Sequence, residues 1–244
     1  MVTGTARYEA TKIPEAIKYP RELSLSGSWS GAYGPHLTFV ASEDFRQTAM
    51  VVPSPPIPAD KVALRRIARM RRRAFVETID AASRAALEAA LADHLAPMIG
   101  RSRVTGGYAP LPDEISPLPA LVKAKARGAI IAFPAFAAAH EPFRFLAGDP
   151  VEQGPFATLQ PPLSSNEVFP DLVLVPLVAV DRAGNRIGQG KGHYDRVLGD
   201  LKRRGALLIG IGWAVQLLDA TIEAEPWDVP LDGFASPEGM TMWR

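Results

Sequence analysis

The densest group of chemically capable residues in the sequence is the run Arg186, Ile187, Gly188, Gln189, Gly190, Lys191, Gly192, His193, Tyr194, Asp195 and Arg196. Glycine at alternate positions leaves no Cβ between successive backbone N–H groups, so the loop can wrap an anion. Lys191 places a mobile positive charge in the middle of that cradle. Asp195 follows as a carboxylate able to hold a divalent cation, the usual companion of a nucleoside triphosphate. Arg186 and Arg196 bracket the segment. The chemistry implied is phosphate binding, with ATP and Mg2+ as the expected ligands.

Two stock phosphate motifs do not fit. A P-loop requires G-x-x-x-x-G-K-[ST], but Lys191 is followed by Gly192. The dinucleotide fingerprint requires G-x-G-x-x-G, and the spacing here is G-x-G-x-G. A glycine-rich turn without a ligand is the competing reading. One lysine, one aspartate and two arginines in the same segment weigh against it.

Such a loop has to be held by a strand before it and a helix after it. The strongest apolar run, 172–180, precedes it, and Pro176 inside that run predicts an edge, a bulge or two short strands. A helix is expected from about Tyr194 to Arg204, where its N-terminus favours phosphate, and a buried strand over 206–212. Upstream, Asp60 is a plausible N-cap for a helix from Lys61 to about Ile79, broken by residues 80–83. A second helix, from about Ser83 to Ala96, aligns Leu87, Leu91 and Leu95 in one stripe. Val104 to Tyr108 and 129–133 read as strands. Ser116 to Arg127 reads as a helix with Gly128 at C′, and Phe143 to Leu146 as part of a short hairpin. Strands alternating with helices imply a three-layer α/β/α fold around a mostly parallel sheet. Residues 1–58 lack sustained periodicity and end in a proline-rich stretch. They are expected to be an extension and linker, either weakly ordered or packed on the surface of the domain formed by 59–244.

Composition narrows the class. The chain has 244 residues, 47% hydrophobic and 22% charged, with a formal net charge of +1. That is ordinary for a globular protein and long enough to bury a sizeable core. No cysteine is present, which excludes a disulfide framework and a cysteine nucleophile. No run of about 18 apolar residues exists, so no membrane span is expected. No secretory h-region appears near the start. A cytoplasmic, monomeric enzyme without a nucleic-acid or membrane partner is the expectation.

The segment from Asp171 through Arg196, with Pro176, Asp181, Gly184, Arg186, Gly188, Gly190, Lys191, Gly192, Tyr194 and Asp195 in their places, resembles the signature of the 5-formyltetrahydrofolate cyclo-ligase family. Lys61 to Arg65 is similar to that family's opening helix and Tyr108 to Glu114 to its substrate segment. Ala132 to Pro134, Gln216 and Asp228 to Asp232 are similar to further elements. The resemblance covers residues 60 to 240. It implies a three-layer fold and ATP- and Mg2+-dependent closure of 5-formyltetrahydrofolate to 5,10-methenyltetrahydrofolate, with release of ADP and phosphate. Phosphorylation turns the formamide oxygen into a leaving group, which N10 of the folate displaces. No protein nucleophile is required, and the protein's part is positioning and charge neutralisation.

Residue by residue, the resemblance assigns Lys61, Arg65 and the run from Arg186 to Tyr194 to ATP, with Lys191 and Arg186 as the catalytic cations. It assigns Ala109, Glu114 and residues 189–193 to the folate, and Asp195 and Asp232 to the metal. Glu114 suits the edge of an aminopyrimidine, because a carboxylate accepts two parallel hydrogen bonds. Its bland reading is an exposed loop acid, and that of Asp232 a turn residue. Arg66, Arg69, Arg71, Arg72 and Arg73 read as a solvated basic face, with RNA binding as a further alternative.

Gln189, His193 and Gln160 depart from the family pattern, in which Tyr or Arg, Tyr and Glu are usual. These departures fall on the substrate side. They leave open a second expectation, a nucleotide-binding paralogue acting on another heterocycle in cofactor salvage.

Overall fold

Asp60 starts the first helix as expected. Its carboxylate accepts from the amides of Val62 and Ala63, two of the donors a helix N-terminus leaves unpaired. The computed structural model describes residues 60–243, so the expected extension, 1–58, lies outside the described residues.

The elements run in the order α1 (Lys61–Glu77), α2 (Ala81–Ile99), β1 (Val104–Gly106), α3 (Leu118–Ala126), β2 (Ile130–Ala135), β3 (Arg144–Ala147), β4 (Glu152–Gln153), β5 (Leu159–Gln160), β6 (Leu172–Pro176), β7 (Ala179–Asp181), β8 (Arg186–Ile187), α4 (Asp195–Arg203), β9 (Leu207–Ile211), β10 (Leu217–Leu218), β11 (Gly233–Ser236) and β12 (Gly239–Met242). Short 3-10 turns lie at Pro155–Ala157 and Ala214–Gln216. The α2 helix runs past Ala96 to Ile99, because Ile99 continues the buried stripe of Leu87, Leu91 and Leu95. The third helix ends as expected, with Gly128 in the left-handed region at φ 89°.

Seven strands form the main sheet in the order β12-β11-β9-β6-β1-β2-β3. The central five are parallel, and β3 and β12 add an antiparallel strand at each edge. The β6 strand shows why the sheet needs cover on both sides. Leu172 and Leu174 enter one core with α2 and α3, while Val173 and Val175 enter the other with Leu198 and Leu201 of α4. The α/β/α expectation therefore holds.

Pro176 has the predicted effect. The apolar run divides into β6, which stays in the main sheet, and β7, which joins a separate small sheet in the order β10-β7-β8. The carbonyls freed at the break are not orphaned. Gln216 Nε2 donates to Leu177 O at 2.7 Å and to Val178 O at 3.2 Å. The second sheet packs its buried residues against Leu64 and Ala68 of α1. The helix carrying the basic residues is thereby fastened to the strands that lead into the glycine loop.

Close packing at the end of β1 gives a direct test. A Cβ on Gly106 would lie 2.8 Å from Phe145 Cε1 and 2.9 Å from Pro170 Cγ. Gly106→Ala is expected to destabilise the domain by about 1–3 kcal/mol, as overpacking does, seen as a lower midpoint in denaturant unfolding. An unchanged midpoint would show that this end of the sheet is loosely packed.

Candidate active site

A cavity of about 620 Å³ opens beyond the carboxyl ends of β1, β2 and β6. That edge is where parallel sheets place their ligands. One wall is the glycine loop, Gly188 to Gly192, leading from β8 into α4. Gly190 and Gly192 have φ of 96° and 64°, the left-handed region that side chains disfavour. At Gly190 there is a second reason for glycine, since a Cβ would stand 3.3 Å from Arg65 Cζ. Gly188 has neither constraint. Only two of the three alternating glycines are thus demanded by the backbone. The α4 helix begins without a side-chain cap, and its first turn is closed by backbone instead, with Arg196 N donating to Gly192 O and Val197 N to Tyr194 O.

The facing wall is α1. Lys61, Arg65 and Arg72 project from one side of it. Arg65 Nε donates to Gly188 O at 2.9 Å and so ties helix to loop. Lys61 Nζ reaches Asp228 Oδ2 at 2.8 Å and Glu225 Oε2 at 3.3 Å. Burial alone would lower the Lys61 pKa, but the pairs with Asp228 and Glu225 outweigh it and raise it. Burial likewise opposes the charge on Asp228, and the Glu225 amide and Lys61 together hold its carboxyl below the usual range. Arg186 is buried and donates to Asp195 Oδ1 at 2.6 Å and to Val229 O at 2.9 Å.

The third wall is aromatic. Phe136, Phe143, Phe156, His193 and Tyr194 form a chain of tilted and edge-to-face contacts, with ring centroids 5.0–5.6 Å apart. Lys191 Nζ lies 3.8 Å from the Phe156 ring centroid. Phe156 itself has φ 66°, a left-handed conformation that is costly for a phenylalanine. Burial raises the Tyr194 hydroxyl pKa well above its ordinary value, Glu114 adding to the shift and Arg186 opposing it. His193 shifts the other way: burial, then Arg196 and Lys191, lower it and favour the neutral ring. Arg196 Nη2 lies 3.4 Å from Nδ1 of His193. Arginine only donates, so Nδ1 accepts and the neutral ring carries its proton on Nε2. That Nε2 is buried and has no hydrogen-bond partner among the described residues.

At the floor sits Glu114. Arg72, whose side chain is only 2% exposed, donates to Glu114 Oε1 at 3.4 Å, to Asp113 Oδ2 at 2.9 Å and to Leu177 O at 3.3 Å. Leu111 N donates to Glu114 Oε2 at 3.1 Å. A carboxylate so placed keeps acceptor capacity facing the cavity, in an orientation its neighbours fix.

A sequence model of the 5-formyltetrahydrofolate cyclo-ligase family matches residues 58–237. The chain belongs to this family. It is 36% identical over 92 residues to the 5-formyltetrahydrofolate cyclo-ligase of Haemophilus influenzae, which covers 36% of this chain and 49% of that protein. The chain spans about half the length of the curated relatives it matches first. Two solved structures share the fold. The 5,10-methenyltetrahydrofolate synthetase of Mycoplasma pneumoniae superposes with TM-score 0.57 at 23% identity, over 73% of this chain and 99% of that one. The Aquifex aeolicus 5,10-methenyltetrahydrofolate synthetase gives 0.62 at 24%, over 75% and 93%.

In this member of the cyclo-ligase family, Lys61, Arg65, Ala109, Glu114 and every residue from Arg186 to Asp195 line the one cavity. Asp232 does not, and the expectation that it shares a metal with Asp195 is corrected. It precedes β11 at the opposite, amino-terminal edge of the parallel strands. Its Oδ2 accepts from Leu208 N at 2.9 Å and its Oδ1 pairs with Lys202 at 2.9 Å. Both oxygens hold the fold together. Asp228, four residues earlier, is the acid of that segment that reaches the cavity. Among the described residues no group of three or more His, Asp or Glu side chains is arranged to hold a metal.

Sequence reasoning also missed Arg72, which was grouped with a solvated basic face, and the aromatic wall from Phe136, Phe143 and Phe156. Arg72 had a signal: Leu64, Ala68 and Arg72 repeat at four-residue spacing and are the buried residues of α1. Gln160 departs from the usual Glu at its position, and it does not itself line the cavity. It is buried and clasps the end of β2, accepting from Phe136 N at 3.0 Å and donating to Phe136 O at 3.4 Å.

Two measurements follow from these placements. Asp232→Ala is expected to lower unfolding free energy by about 1–3 kcal/mol, the cost of unpairing a buried donor and cation, while nucleotide affinity stays at the wild-type value. Loss of nucleotide binding from a folded variant would restore Asp232 to the site. For His193, the unfolded chain takes up its proton near the ordinary value of 6.5 and the folded chain only at lower pH. Stability therefore falls as pH drops below about 6.5. His193→Phe should flatten urea-unfolding stability between pH 7 and pH 5; an unaltered pH slope would contradict the lowered pKa.

Proposed function

We propose that this chain is an ATP- and Mg2+-dependent 5-formyltetrahydrofolate cyclo-ligase that forms 5,10-methenyltetrahydrofolate and releases ADP and phosphate. The observation that carries this reading is the union, in one cavity, of an anion-cradling loop with its cations and a buried, oriented carboxylate. The loop amides and the cations of Lys61, Arg65, Arg186 and Lys191 suit a triphosphate. Glu114 suits the amino-pyrimidine edge of a pterin. The aromatic wall of Phe136, Phe156 and His193 suits the flat faces of such a heterocycle.

The chemistry needs little from the protein beyond position and charge. The formyl oxygen attacks the γ-phosphorus and the bond to the β-phosphate oxygen breaks, releasing ADP. N10 then attacks the formyl carbon, phosphate leaves with the oxygen, and N10 gives up its proton. Glu114 and the aromatic wall orient the ring that carries the formyl group. Lys191, on the loop, is placed to follow the charge that builds on the transferring phosphoryl group. Arg186, pinned by Asp195 and Val229 O, supplies fixed positive charge beside it.

Mg2+ fits the acids present. Asp195 uses only Oδ1 among the described hydrogen bonds and Asp228 only Oδ2, so each retains a free oxygen. Magnesium commonly takes one or two carboxylates together with phosphate oxygens and water. When bound it would neutralise phosphate charge during the transfer. The expected solution form is a monomer, with the folate as its small-molecule partner.

Purified protein incubated with 5-formyltetrahydrofolate, ATP and Mg2+ is expected to produce the absorbance of the methenyl product. Folded protein that yields none sinks the proposal. Nucleotide-dependent thermal stabilisation without folate-dependent stabilisation would favour a paralogue acting on another heterocycle, the reading motivated by Gln189 and His193. Lys191→Ala should reduce kcat by about 100-fold with the fold intact, the scale of removing one charge-stabilising donor. Near-wild-type turnover would remove Lys191 from the chemistry.

A further inference from the structure

The carboxylate of Glu114 already has a competitor within the chain. Gln189 Nε2 donates to Glu114 Oε1 at 3.2 Å. The same side chain is held from behind, where Arg69 Nη2 donates to Gln189 Oε1 at 2.5 Å and to Gln189 O at 3.1 Å. An exposed glutamine is thus fixed at both ends of its amide. The remaining acceptor capacity of Glu114 is unevenly divided. Oε1 also accepts from Arg72 Nη1, and Oε2 accepts from Leu111 N. A carboxylate offers about four acceptor positions, so one remains, on Oε2.

We propose that Gln189, clamped by Arg69, is an intrachain competitor for Glu114 that selects heterocycles presenting two parallel N–H donors and reports their arrival to the phosphate loop. The inference rests on the folate reading of the cavity and deepens it. A ligand with one donor is satisfied at Oε2 and leaves Gln189 in place. A ligand with an amino group beside a ring N–H needs one donor on each oxygen, and must take Oε1 from Gln189.

The displaced side chain shares its clamp with the loop backbone, because Arg69 Nη2 donates to Gln189 O as well as to Oε1. Gln189 lies between Gly188, whose carbonyl accepts from Arg65, and Gly190, packed against the Arg65 guanidinium. Exchange at Glu114 therefore shifts the segment that carries the phosphate-facing amides. Such coupling is reciprocal: bound nucleotide changes affinity for the heterocycle by the factor that the heterocycle changes affinity for nucleotide. Arg69 acts here as a positioning residue. It touches neither ligand and works through Gln189.

The test uses the full chain of 244 residues and two variants, Gln189→Leu and Arg69→Ala. Calorimetry gives Kd for 5-formyltetrahydrofolate and for an analogue lacking the exocyclic amino group, each with and without a non-hydrolysable ATP analogue. Removing the competitor should tighten the two-donor ligand by about 3- to 10-fold in both variants, a fraction of one charge-assisted hydrogen bond. The one-donor analogue should change by less than about 2-fold, and the nucleotide-to-folate coupling factor should fall toward one. Weaker binding in Gln189→Leu, or equal tightening of both ligands, overturns the proposal. The side-chain NH2 resonance of Gln189 in Arg69→Ala, measured without ligand, decides the clamp independently of folate. It should move toward the position of an unpaired glutamine, and an unchanged resonance also overturns the proposal. If the resonance moves but neither wild type nor variants bind folate, the folate reading fails and the clamp on Gln189 is upheld.

Discussion

The site depends on one buried guanidinium. Arg72 sits in α1 at a position where Leu64 and Ala68 are its buried companions, and its fork joins three otherwise separate pieces. These are the Asp113–Glu114 loop after β1, the break between β6 and β7 at Leu177, and the helix itself. Removing it would leave two acids and a carbonyl without their shared donor, and buried charge without a partner is among the costliest defects a fold can carry. The same contacts fix the orientation of Glu114. Stability and, on the proposed function, substrate recognition therefore draw on one set of hydrogen bonds.

Around that centre, each edge of the sheet has its own work. At the carboxyl ends of the parallel strands, Pro176 diverts the chain into a second small sheet and Gln216 satisfies the carbonyls it frees. That diversion carries the chain through β8 into the glycine loop and brings it against α1, where Arg65 holds it. At the amino ends, acids serve only the fold. Asp171 accepts from Ser102 Oγ and the Arg103 amide, and Asp232 from Leu208 N and Lys202. Asp228 and Asp232 are four residues apart in sequence, yet they serve opposite edges.

Much of this was legible from the sequence. The order of helices and parallel strands followed from apolar period, and the glycine loop from residue types alone. The Pro176 expectation was resolved in favour of two short strands. What was missed was missed for physical reasons. Five arginines between residues 66 and 73 look like a solvated face by composition. Helical phase separates them, since at about 100° per residue Arg72 falls roughly 20° from Lys61, while Arg66 and Arg73 turn away. The β11–β12 hairpin, with Gly233 and Gly239 at its strand starts, has no apolar run long enough to announce itself. The role of Asp232 was carried over from a resemblance, and a resemblance in sequence does not say which edge of a sheet an acid will face. The aromatic wall comes from three separate segments, so no local pattern could assemble it.

The central claim is that one cavity seats a triphosphate between α1 and the glycine loop, and a pterin on Glu114. A crystal structure with a non-hydrolysable ATP analogue, Mg2+ and 5-formyltetrahydrofolate tests it most directly. Phosphates on Lys61, Arg65 and the amides of residues 188–192, with the amino-pyrimidine edge on Glu114 and Asp232 still bonded to Leu208, would bear the account out. Phosphates seated instead on the outer arginines of α1, or a pterin bound away from Glu114, would contradict it.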